Sequence, residues 1–154
     1  MKKTILLAIL MFCLPATASA QMDNIQGQWL ITAMLIAKSE PDPLIKEGYT
    51  KQEQWTITQQ GSQASITTPS GTIQGQYVAP DATYPSGSWQ FMADVYNLMG
   101  QPNLAARFEV VIGGATATLL QGGSRVTFYG GNPYSSQWTP MGLESWRFEA
   151  ERIN

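Results

Sequence analysis

The residues able to do chemistry in this chain are few, and carboxylates dominate them. There is no histidine, and the single cysteine is Cys13, close to the amino terminus. Beyond it, thiol nucleophiles, serine–histidine triads, zinc sites and disulfides are all ruled out. General acid–base work would fall to the eleven Asp and Glu residues. None of them is evidently placed to serve a Ser or Thr nucleophile. Carboxylate-only metal binding needs an Asp/Asn/Gly loop of calcium spacing, which the chain lacks. The expectation is therefore no catalytic residue, no metal, no cofactor, and a binding protein rather than an enzyme.

The first twenty residues address the chain. Lys2-Lys3 precede an apolar stretch over residues 5–14, followed by Ala18-Ser19-Ala20. A charged start, an apolar core too short to span a bilayer and small residues before the cut make an export signal cleaved after Ala20. The bulky Met11 and Phe12 ahead of Cys13 argue against a lipid attachment site. Residues 21–154 then form one domain, periplasmic or secreted, held by packing alone. Without Lys2 and Lys3, seven basic residues face eleven acidic ones, a net charge of −4. The basic residues are dispersed, so nucleic acid is not an expected partner. No later stretch approaches the ~20 apolar residues of a membrane helix. Polar residues such as Thr56, Gln74, Gln76, Arg107, Glu109, Arg125 and Thr127 lie opposite the bulky face, which predicts a wet outer wall and a soluble monomer rather than a membrane barrel.

Short apolar–polar alternations punctuated by Gly, Pro, Asn and Asp indicate an all-β domain. Strands are expected near 28–37, 52–60, 63–68, 72–79, 87–95, 105–112, 115–121, 124–130 and 144–152. Tight turns are expected at Gln60-Gly61, Pro69-Ser70-Gly71, Gly113-Gly114, Gln121-Gly122-Gly123 and Gly130-Gly131-Asn132. Such turns join neighbouring antiparallel strands, and closure removes the exposed edges. The expectation is an antiparallel up-and-down barrel of eight or nine strands. Longer connections fall at 38–50, with a helical turn expected over 44–47, at 79–87 and at 132–142. Residues 88–100 fit either a strand to about Val95 or a helix capped by Ser88; the strand is preferred because its neighbours are strands.

One pairing carries more information than the rest. With Trp29 on the inner face of the first strand, Ile31, Ala33 and Leu35 share that face. In the last strand Trp146, Phe148, Ala150 and Arg152 point inward, because Arg147, Glu149 and Glu151 occupy the other face. In a closed antiparallel barrel the first and last strands pair, so Trp29 and Arg152 meet at one rim, guanidinium on indole. At this point the chain resembles the lipocalin-like (calycin) barrels, which share a Gly-x-Trp on the first strand, here Gly27-x-Trp29, and a late arginine packed across it, here Arg152. The long connection at 38–50 is similar to their large first loop. The chain departs from them in being shorter, in lacking a disulfide and in having no helix after the last strand. It also resembles periplasmic protease inhibitors built on a similar barrel.

The resemblance implies two candidate roles. In the first, an apolar lumen takes a small apolar molecule, touched by Tyr77, Phe91, Phe108 and Phe128, while Trp29 and Arg152 close the structure. The inward set expected to line it also includes Trp55, Ile57, Ile73, Gly75, Trp89, Ala93, Val110, Ala115, Ala117, Leu119 and Val126. Its small members either leave a pocket or interlock with the large ones in a filled core. In the second role, Tyr84, Tyr134 and Trp138 on Pro-, Ser- and Gly-rich loops anchor a protein partner, as in an inhibitor of an envelope enzyme. Those rings would otherwise fold back over the barrel mouth.

Overall fold

The computed structural model describes residues 23–39, 46–132 and 137–153. Two-residue alternation of bulky and polar side chains makes strands that bury one face. Eight form: β1 (Gly27–Lys38), β2 (Thr50–Gln60), β3 (Gln63–Thr68), β4 (Gly71–Val78), β5 (Ser88–Tyr96), β6 (Leu104–Ala115), β7 (Leu119–Asn132) and β8 (Gln137–Ile153). Each pairs antiparallel with the next, and β8 returns to β1, closing an up-and-down barrel. In residues 88–100 the strand runs to Tyr96 and a single 3₁₀ turn, Leu98–Gly100, follows it. The export segment, Cys13, Tyr134 and the first half of the 44–47 turn lie outside the described residues.

The expected turns at Gly113-Gly114, Gln121-Gly122-Gly123 and Gly130-Gly131-Asn132 do not form. Residues 115–121 and 124–130, expected as two strands, fall largely within the continuous β7, and the chain reverses at 116–118 instead. There the Thr116 hydroxyl accepts from the Leu119 amide at 3.0 Å, and Gly113-Gly114 mark a bulge in β6. The shifted register turns Leu120 inward and leaves Ala117 exposed, correcting the expected inward positions Leu119 and Ala117. The glycines serve closeness rather than turning. A Cβ on Gly122 would strike the Phe148 ring and the Val111 carbonyl, and one on Gly75 would strike the Phe91 ring. Most of the 132–142 connection is likewise strand, because β8 begins at Gln137 and follows β7 past the barrel wall.

Small residues thus make room for large ones, and the lower barrel is filled. Trp29, Ile31, Ile57, Ile66, Ile112, Leu120 and Phe148 are all fully buried there. Gly122→Ala is expected to lose about 1–3 kcal/mol by overpacking, measured as a lower urea midpoint. An unchanged midpoint would show that the wall gives way more easily than its geometry indicates.

Candidate functional site

The two ends of the barrel differ. At one end lie the β2–β3, β4–β5 and β6–β7 connections and the segment preceding β1. That segment folds across as a plug: Ile25 is fully buried, its carbonyl accepts from Trp29 Nε1 at 2.9 Å, and its amide donates to Gln59 Oε1 at 2.9 Å. Trp29 and Arg152 are cross-strand partners, and the guanidinium lies 4.3 Å from the indole centroid. Arg152 also donates to the carbonyls of Gln26 and Ala117, each at 2.6 Å. It ties the plug and the β6–β7 turn to the last strand. Gly27 sits beneath it at φ 146°, where a Cβ would collide with the guanidinium.

At the other end no plug of this kind is found among the described residues. Above the packed half, a cavity of about 390 Å³ is lined by Trp55, Ile73, Ala93, Val95, Phe108, Val110, Ser124, Val126 and Trp146, with Lys51 and Glu53 at its mouth. Its size falls within the range of small-molecule sites, and its apolar wall is edged by polar and charged residues, among them Thr68, Ser70, Thr72, Glu109 and Arg125. Two further hollows of similar volume are rim and outer-wall depressions. One is bounded by Leu98, Met99, Leu104 and Met141, the other by Tyr84, Gly113, Gly123 and Arg147.

The mouth is built from two copies of one short pattern. In Glu53-x-Trp55 and Glu144-x-Trp146 the two-residue period puts carboxylate and indole on the same inner face. Trp55 Nε1 donates to Glu53 Oε1 at 2.6 Å, and Trp146 Nε1 donates to Glu144 Oε2 at 3.3 Å. Each carboxylate also faces a lysine: Lys51 Nζ lies 3.5 Å from Glu53 Oε2, and Lys38 Nζ 3.6 Å from Glu144 Oε1. The Lys51 ammonium stands 4.7 Å from the centroid of the Trp146 ring. Extending the alternation upward from the two tryptophans would have found Lys51, Glu53 and Glu144; they pass unnoticed because charged residues are habitually assigned to outer walls.

The expected ligand residues separate. Phe108 lines the cavity. Phe91 is buried in the packed core over Gly75. Phe128 faces the rim hollow beside Leu98 and Met141. Tyr77 belongs to the closed end, its ring 5.6 Å from that of Trp89 and its hydroxyl donating to the Ser86 carbonyl at 3.0 Å. The strand direction explains this: Tyr77 lies near the end of β4 at the closed rim, as Phe128 nears the opposite end of β7. Of the loop aromatics, Tyr84 packs its ring over Gly113, and Trp138 lies in β8 with its ring 5.8 Å from that of Tyr96. Tyr134 lies outside the described residues.

On the outer wall Asp94 and Arg107 are cross-strand partners joined by two hydrogen bonds of 2.7 and 2.9 Å. The hydrogen bond from Arg107 holds the Asp94 carboxyl below its ordinary value, outweighing partial desolvation. A depressed acid adds stability above its unfolded-state pKa of ~3.9, and the gain fades as pH falls through the folded value. An NMR titration of Asp94 should therefore have a midpoint under that reference, and Arg107→Gln should move it upward. A midpoint unmoved by Arg107→Gln would mean the pair is open in solution.

Among the described residues no group of three or more His, Cys, Asp or Glu side chains is placed to hold a metal ion, and no helix is long and apolar enough to cross a membrane. No family model and no curated protein matches the chain. It is similar to a solved structure, EF1p2_mFAP2b bound to DFHBI, with a TM-score of 0.42 and 14% identity, covering 83% of this chain and 93% of that one.

Proposed function

We propose that this chain is an exported, monomeric, lipocalin-like barrel that takes one small, largely apolar molecule through its open end, as a binding protein of the cell envelope rather than an enzyme. The observation that carries this reading is the division of the lumen. Its lower half is packed around Trp29 and Phe148, while its upper half holds a hollow of about 390 Å³ whose wall is largely aromatic and aliphatic, with polar and charged residues among its lining. A barrel needing only a core would fill both halves. Lys2-Lys3, the apolar residues 5–14 and Ala18-Ser19-Ala20 support export. The alternative, a loop-borne contact with an envelope enzyme, has less support: Tyr84 and Trp138 are each engaged by the chain itself.

The test is native mass spectrometry of protein purified from its own compartment, followed by titration with apolar probes. Trp55 and Trp146 are in the cavity wall, so a ligand there should change their emission saturably at one equivalent. Protein that carries no extra mass and gives no saturable response to any apolar probe would end this reading.

A further inference from the structure

Lys51 occupies the place at the mouth that suits the charged head of a ligand. Its ammonium is over the Trp146 indole, with Glu53 on one side. The Tyr49 ring meets the same indole edge-on, with centroids 6.3 Å apart. Carboxylates holding both indole N–H groups push electron density into the rings, which strengthens their attraction for a cation. The occupant is loosely held. Its distance to Glu53 exceeds the ~2.7–2.9 Å of a charge-assisted hydrogen bond, and its side chain is 41% exposed on a flexible stem.

Resting on the lumen-binding proposal above, we infer that the mouth selects amphiphiles with a cationic, alkylammonium head and an apolar tail, and that Lys51 is an internal stand-in which the head displaces. With Lys51 swung into solvent, Glu144 still faces Lys38 and Glu53 is left without its cation. Glu109 and Arg125, also at the cavity, are cross-strand partners of opposite charge and offset one another. Among the described residues, the opened mouth is therefore negative and aromatic. With Lys51 swung out, a carboxylate or sulfate head would meet the repulsive face of an indole beside Glu53, whereas an ammonium head meets attraction from both.

The experiment compares three probes sharing one tail, decyltrimethylammonium, decanoate and decanol, each titrated below its aggregation concentration into the folded protein with tryptophan emission as readout. The cationic probe should bind at least about tenfold tighter than decanoate, within the range a desolvated cation–π contact supplies. Lys51→Gln should tighten the cationic probe several-fold, and Glu53→Gln should weaken it. Decanoate binding as tightly as the cationic probe, or Lys51→Gln weakening the cationic probe, would overturn the inference. Equal binding of all three probes would remove the head-group preference and leave lumen binding intact. Failure of all three, decanol included, would count against lumen binding itself. Circular dichroism of each variant separates altered recognition from lost folding.

Discussion

Trp29→Ala is expected to lower stability by about 3–5 kcal/mol, the range for truncating a fully buried tryptophan. Against a usual total of ~5–15 kcal/mol, that leaves a barrel close to unfolding at ordinary temperature. The loss combines three parts. The indole is fully buried, so its removal opens a cavity at the closed end. Its N–H is the donor to the Ile25 carbonyl, which would be left unpaired inside the plug. Its face supports the Arg152 guanidinium, which then loses one of the contacts orienting it. Arg152→Ala should cost less, about 2–3 kcal/mol from two charge-assisted hydrogen bonds and the ring contact. Arg152→Lys should recover only part, because an ammonium cannot span the carbonyls of Gln26 and Ala117 with the same fork. The check is urea unfolding at unchanged slope. A loss below about 1 kcal/mol for Trp29→Ala would mean the plug is peripheral to folding.

That the closed end was legible in the sequence follows from its dependence on periodicity alone. Once Trp29 is set inward, the two-residue period of β1 and β8 determines every neighbour down to Arg152, and antiparallel closure puts them together. Glycine was the misleading residue. In Gly113-Gly114 and Gln121-Gly122-Gly123 the local preference for turns competes with a tertiary demand that local pattern does not reveal, room for the Phe148 ring and for a neighbouring carbonyl. Turns at those glycines shift the expected register by one residue, which puts Leu119 inward where the structure has Leu120. An aromatic side chain on the inward face marks the lumen but not the height within it. Height depends on strand lengths and shear, and these separate Phe108 at the cavity from Tyr77 at the plug.

Height within the lumen also decides where a substitution can block a ligand. Ala93→Trp should abolish apolar-probe binding, a loss of about hundredfold or more, equivalent to ~2.7 kcal/mol, with little change in stability. Ala93 faces inward opposite Phe108, and both line the hollow part of the lumen. A tryptophan there grows into space that packing does not already claim, so it occupies the cavity without the strain of overpacking. The new ring would lie among Phe108, Val110 and Trp55, contacts that offset its loss of rotamer freedom. The control lies one residue away. Met92 points outward from the same strand and is 53% exposed, so Met92→Trp adds an identical ring to the outer wall and should leave probe affinity unchanged. Isothermal titration of both variants with one apolar probe separates the outcomes. Equal loss in both would mean that the probe binds the outer surface, and no loss in either would mean that it bypasses the upper lumen. Loss in Ala93→Trp alone requires the probe to lie inside the barrel, on the face that the alternation of β5 assigns to the lumen.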